Sequence, residues 1–346
     1  MKVLKRGVLT VVCAATAAMC GFGLSACAQN EADGDFSYTV AMPDGAPALA
    51  VAHLMVEDMQ FGGEVNYKVV NSNAIVQQVS GGEADICILP VNAAVQVAGS
   101  GEEYSLLGTV THGNLYMLSA KHPDEQITAS NLSTLVGKTV GCMQLSSFVG
   151  NVFKMILDDN DIPYEVAESA DVAKEDCVNL INIADPASGI SPSAEFDYMI
   201  GAEPVVTAKI NGSASAAAPL RLVGDLQALY GEEGYPQAVM LAKNSVIEEN
   251  EEFITDFISA VEANAEWIAS DGAVMSDIVA AINANYGGAI SSLTANNLNS
   301  AVISRCAIEF VSASECRQEI TEFIGKLEVL TGTSLTISDS FFYNAD

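Results

Sequence analysis

Histidine, cysteine and paired carboxylates are the side chains that activate nucleophiles or hold metals, and in this 346-residue chain their spacing supports neither task. His53, His112 and His122 make no H-x-x-x-H or H-E-x-x-H pattern, which would set two imidazoles on one helix face for zinc. No C-x-x-C, no G-x-S-x-G elbow and no G-x-x-x-x-G-K-[ST] phosphate loop occurs. Two enzyme arrangements remain. One is a dyad of Cys142 with His112; the other is a pairing among Asp44, Asp185 and Glu203. Sequence spacing supports neither. The expectation is no catalytic residue, no metal site and no cofactor. A cleft with donors and acceptors but no activated group is a binding cleft.

The polar residues that could line such a cleft collect in turns. "YTVAMPDGAPALAVAHLM" (38–55) passes from an apolar strand through Pro43-Asp44-Gly45-Ala46-Pro47 into an apolar helix. Gly45 lets the backbone approach a ligand, and Pro47 suits a first helical turn, where no N–H is needed. Asp44 either accepts a hydrogen bond from the ligand or caps the turn. Four more turns have the same character: Asn71-Ser72-Asn73, Pro90-Val91-Asn92, Thr111-His112-Gly113-Asn114, and Gln144 to Ser147 with Ser146 between. In open α/β sheets ligands sit beyond the carboxyl ends of strands, where the first N–H groups of helices lack partners. Each turn, taken alone, reads equally as an ordinary loop.

The elements that must position these turns alternate. Short Val/Ile-rich runs at 38–42, 65–70, 84–90, 104–112, 114–120, 137–143 and 177–184 read as strands, with helical patterns between them. A single helix is expected from Pro47 to about Met59, and another over 146–160. Residues 197–210 read as a strand and a turn, "INGSASAAAP" (210–219) as a linker, and 250–270 onward as mainly helical. This is an α/β chain with two series of strands, hence two lobes.

Residues 1–27 are set apart. Lys2, Lys5 and Arg6 precede an apolar run from Val8 to Ala18, and Leu24-Ser25-Ala26-Cys27 resembles the lipobox of bacterial lipoproteins, in which the Cys carries diacylglycerol. Residues 28–36 then form a polar tether, placing the protein on the outer face of the cytoplasmic membrane through its lipid anchor. All 44 acids follow Cys27 but only 11 of the 14 bases do, so the remaining chain carries a net charge of −33. Nucleic acid and anionic headgroups are poor partners for that surface. Of the five later cysteines, Cys87 reads as a small core hydrophobe, and Cys306 pairs with Cys316 only if the helix expected between them breaks.

The segments "MPDGAPALAVAHLM", "VVNSNAIVQQVSGGEADICILPVNAA", "YSLLGTVTHGNLYMLS", "LSTLVGKTVGC" and "GEEGYPQAVMLAKNSVIEENEEFITDFISAV" resemble extracytoplasmic substrate-binding proteins of ABC transporters. Within these the chain is similar to the nitrate, sulfonate, taurine and bicarbonate type, to which thiamine-precursor binders are related. The resemblance implies a two-lobed type II periplasmic-binding-protein fold with two crossing hinge strands. Lobe I would be 37–115 with 206–346, and lobe II 116–205. It also implies a monomer that closes on a small molecule and delivers it to a permease with its ATPase. Carried over by position, the cleft residues are Asp44, Gly45, Ala46, Asn71, Asn73, Pro90, Asn92, Thr111, His112, Asn114, Gln144, Ser146 and Ser147, then Glu203, Tyr235 and Gln237. None of these turns holds Lys or Arg, so an anion would rest on backbone N–H groups and hydroxyls. A neutral or zwitterionic molecule fits Asp44, Glu203 and the asparagines as well.

Overall fold

The computed structural model describes residues 36–288 and 291–344; Cys27, the leader and the tether up to residue 35 lie outside the described residues. The chain opens with β1 (Ser37–Pro43), the short helices α1 (Ala46–Leu49) and α2 (Ala52–Val56), β2 (Glu64–Val70), α3 (Ile75–Ser80), β3 (Ile86–Pro90), α4 (Val91–Ala98) and β4 (Tyr104–Thr111). It continues through β5 (Leu115–Ser119), β6 (Thr139–Met143), α5 (Phe148–Asp159), β7 (Tyr164–Val166), β8 (Val178–Ile183), α6 (Pro186–Gly189), β9 (Tyr198–Ala202), α7 (Val205–Ser213) and β10 (Arg221–Asp225). After α8 (Leu226–Tyr230) come β11 (Ala238–Lys243), α9 (Asn244–Glu249), α10 (Glu251–Ala269), α11 (Met275–Ala284), α12 (Ser300–Arg305), β12 (Ile308–Ser312) and α13 (Ala313–Thr331).

These strands form two mixed sheets of six, ordered β12-β4-β11-β3-β1-β2 and β10-β5-β9-β6-β8-β7. In the first, β1 runs parallel to β2 and β3, while β11 is antiparallel to β3 and β4. In the second, β6 runs parallel to β8 and β9, and β5 is antiparallel to β9 and β10. Two passages join the lobes: β4 into β5 through 112–114, and β10 into β11 through 226–237. Because β5 pairs with β10 and β4 with β11, the two crossings run side by side.

Both faces of the first sheet are buried, as parallel strands require. Along β1 and β3, Ala41, Cys87 and Leu89 face a core shared with the second lobe, whereas Val40, Met42, Ile86 and Ile88 face α10 to α12. The shared core continues through Val140, Phe153, Leu180 and Tyr198 of the second sheet. Helix α13 joins the halves physically. It packs on β4, its Phe323 ring lies 5.8 Å from Phe148 on α5, and Lys326 Nζ is 2.7 Å from Asp159. A Ser312–Glu315 capping box starts this helix and Gly332 ends it in the left-handed region at φ 67°.

Four local expectations change. The helix expected over 47–59 breaks at Ala50–Val51, where Val51 takes φ −128°. Ala48 through Ala52 are all buried, and a straight helix would have turned one face of that run to water. The proposed linker 210–219 belongs to the second lobe: α7 runs into it, and Ser213 Oγ accepts from the Leu220 N–H at 3.0 Å. Strand β10, assigned above to lobe I, pairs with β5 in the second sheet, so that sheet draws on 115–225 rather than 116–205. Cys306 and Cys316 are separate buried thiols, as are Cys87, Cys142 and Cys177, and a strand rather than a helix lies between the pair. No helix among the described residues is long and apolar enough to cross a membrane.

Candidate functional site

The carboxyl ends of β1, β3 and β6 point at one cleft between the lobes, of about 440 Å³. At the end of β1 the Asp44 N–H donates to Val70 O at 2.9 Å, which ties the turn to β2. Gly45 then takes φ 101°, and a Cβ placed there would lie 3.7 Å from Pro204 and 3.8 Å from Ser292. Glycine is required by the backbone, and the turn sits where three segments converge. Facing it, Gln144 ends β6 with φ 52°, an uncommon conformation for a non-glycine that costs of order 1 kcal/mol and tends to occur at functional sites.

Asp44 does not present a free carboxylate. Its Oδ1 accepts from the Ser291 hydroxyl at 2.7 Å and its Oδ2 from the Ser292 N–H at 2.5 Å. The turn thereby holds the loop after α11, whose Gly287 N–H also donates to Val69 O at 3.0 Å. Through these bonds Tyr286, Ser291 and Ser292 enter the cleft. Glu203 is likewise engaged. Its side chain is wholly buried, receiving Arg305 Nε at 2.5 Å, the Thr207 hydroxyl at 2.8 Å and the Thr207 N–H at 3.0 Å. Arg305 Nη2 donates to Thr207 Oγ1 at 2.7 Å, so the pair closes on itself across the lobe boundary.

Behind Glu203 runs a chain of amides. Asn114 Nδ2 donates to the Glu203 carbonyl at 3.1 Å, and Gln237 Nε2 donates to Asn114 Oδ1 at 2.6 Å. The two residues sit on the two crossings, so this contact marks the hinge. Met143, Phe148, Val149, Leu115, Ala202 and Val205 supply an apolar wall opposite.

Of the sixteen residues expected from the sequence, the structure brings Asp44, Gly45, Ala46, Asn71, Pro90, Asn114, Gln144, Glu203 and Gln237 to the cleft. The other seven lie elsewhere. Asn73 is exposed, with its N–H turned back to Asn71 Oδ1. Asn92 sits inside the first turn of α4 and Thr111 is fully buried, its Oγ1 accepting from the Ala238 N–H at 3.2 Å. Ser146 is exposed, and Ser147 precedes α5 with its hydroxyl on Gln144. Tyr235 is fully buried and donates to Gln227 Oε1 at 3.1 Å, a hinge-packing role.

His112 faces a different space. A second cavity, about 820 Å³, shares no lining residue with the cleft; His112 lies in its wall beside Asp225, Glu232, Glu233, Glu309, Glu315 and Glu319. Burial lowers the His112 pKa, and its Nε2 lies 3.1 Å from Thr109 Oγ1. Cys142 is buried under the second sheet, where burial pushes its thiol up to about 12. The Cys142–His112 dyad therefore does not form.

Sequence reasoning missed the loop bearing Tyr286, Ser291 and Ser292, which it read as part of the helical tail. The Tyr286-Gly287-Gly288 step was the available sign of a turn there. Among the described residues, no group of histidines, cysteines and carboxylates could hold a metal.

No protein-family model matches the chain, and no curated protein does either. Solved structures do. An ABC transporter protein from Parabacteroides distasonis matches with TM-score 0.68 at 17% identity, over 90% of this chain and 100% of that one. The periplasmic aliphatic sulphonate binding protein SsuA from Escherichia coli matches with TM-score 0.60 at 13% identity, over 90% and 92%. The alkanesulfonate-binding protein SsuA from Xanthomonas axonopodis pv. citri matches with TM-score 0.53 at 12% identity, over 88% and 97%. The chain thus has the two-lobed α/β fold of periplasmic binding proteins, with its cleft where the crossings meet.

Proposed function

We propose that the protein is the substrate-binding component of an ABC importer, capturing a small solute between its lobes and delivering it to the permease. The observation that carries this reading is the cleft itself. Polar groups from both sheets converge on it, and both of its carboxylates are engaged within the protein. The sulphonate-binding proteins among the structural neighbours agree with a solute receptor. Binding would shift the population from open to closed lobes about the Asn114–Gln237 contact, which needs a differential affinity of only a few kcal/mol. The lipobox at Cys27 supports a tether on the outer face of the membrane.

The test is a thermal-melt screen of protein refolded to strip carried-over ligand, against sulfonates, nitrate, bicarbonate, pyrimidines, flavins and amino acids. A true ligand at about 100 times its Kd adds roughly 2.7 kcal/mol and a saturable shift. Absence of any saturable shift, together with turnover of a substrate, would replace this reading with an enzyme.

A further inference from the structure

We infer that the cleft takes an uncharged organic molecule bearing an N–H or O–H donor, and not an oxyanion; this rests on the solute-binding reading above. Three observations carry it.

The first is charge. Among the described residues lining the cleft there is no Lys, Arg or His, and the two carboxylates are Asp44 and Glu203. Arg305, the cation nearest in the hydrogen-bond network, is turned onto Glu203 and Thr207 and neutralises a wholly buried carboxylate. It has no positive charge left over for a ligand. Among the described residues no cation pairs with Asp44; it is held by a hydroxyl and a backbone N–H. An oxyanion entering here meets a net negative site. An organic cation gains little, because both Asp44 oxygens already hold the Ser291–Ser292 loop.

The second is an unpaired acceptor whose identity the network fixes. The Glu203 carbonyl can only accept, so the Asn114 group facing it is the NH₂. Asn114 Oδ1 then accepts, so the Gln237 group facing it is also the NH₂. That leaves Gln237 Oε1, which is buried and has no donor among the described residues. The crossing side of the cleft thus offers a buried acceptor in want of a donor. Nitrate and deprotonated sulfonates have no proton to give it; an amide, lactam, ureido or hydroxyl group does.

The third is size. A space of about 440 Å³ corresponds to the liquid volume of roughly 15 waters, most of which a nitrate or sulfate would leave unfilled. Met143, Phe148 and Tyr286 give an organic body surfaces to lie against.

The test uses the full-length protein and calorimetric titration with three sets of probes. They are uncharged N–H donors (uracil, 2-pyrrolidone, nicotinamide), their N-methylated counterparts, and anions (nitrate, sulfate, methanesulfonate). At least one donor should bind saturably. Its N-methylated form should bind about tenfold or more weakly, because a buried acceptor left without a donor costs about 5- to 150-fold in an equilibrium. The anions should not bind. Gln237→Met should abolish the preference for the donor over its methylated form; the ligand-side comparison on the unaltered protein stands even if that variant misfolds. Saturable binding of an anion, of an organic amine in preference to the neutral donors, or of donor and methylated form alike would overturn the inference while leaving solute binding intact. If no probe binds, the inference falls; a saturable shift in the wider melt screen would then leave solute binding standing.

Discussion

The cleft and the acidic cavity both lie along the boundary between the lobes, yet they are built from opposite materials. The cleft, at about 440 Å³, gathers amides, hydroxyls and apolar side chains from the ends of parallel strands. The cavity, at about 820 Å³, is ringed by Asp225, Glu232, Glu233, Glu309, Glu315 and Glu319 and contains no strand carboxyl end of the parallel series. Size and strand geometry point to different places, and strand geometry has the physical argument behind it: turns at strand ends put backbone and small polar groups at ligand distance. Between the two stands the Glu203–Arg305 pair, with Glu203 in the wall of the cleft and Ser304 next to Arg305 in the wall of the cavity.

That comparison can be broken at four points. Arg305→Met would strand the buried Glu203 carboxylate and cost about 3–5 kcal/mol of stability, read in a urea melt. Adding Glu203→Gln should recover most of it; failure to recover would mean that the pair matters for more than mutual neutralisation. Next, Asp44→Ala removes two charge-assisted hydrogen bonds to the Ser291–Ser292 loop and should cost about 2 kcal/mol, with weakened binding of any cleft ligand. Unchanged stability would mean that the loop is held without Asp44.

On the cavity side, burial and then the neighbouring Glu233 carboxylate push Glu319 up to about 7 from 4.5. A carboxyl raised in the folded state binds its proton more tightly there than when unfolded. Its stabilising effect is complete below about pH 4.5 and disappears as pH rises through 7. Glu319 is partly solvent-exposed, so after screening the loss between pH 5 and 8 should be about 1 kcal/mol. Glu319→Gln should flatten that slope, and parallel slopes for the two proteins would refute it. The smallest effect expected is none: Glu232→Ala, in the cavity wall, should leave cleft affinity within about twofold, as independent sites do. A larger change would show that the two spaces are coupled.

The order of strands and helices was legible because apolar runs with Gly and Pro punctuation are short-range signals. The turns after β1, β2, β3 and β6 could be found by the same logic, and residues from each reach the cleft. What the chain could not reveal is where a side chain is already engaged. Asp44 and Glu203 look like ligand acceptors in one dimension; their partners, Ser291, Ser292 and Arg305, are 100 or more residues downstream. His112 shares its turn with Asn114, but the two side chains point into different spaces, a distinction set by where β4 leaves its sheet. Strand β10 was misassigned because "RLVGD" states a strand without stating whose edge it joins.

The direction of β1 has a consequence for orientation. The chain enters this strand at Ser37 and reaches the cleft only past Pro43, about 20 Å away along the strand. Ser37 therefore lies at the end of the strand away from the cleft. A label or surface attached at Ser37 would leave the cleft entrance clear.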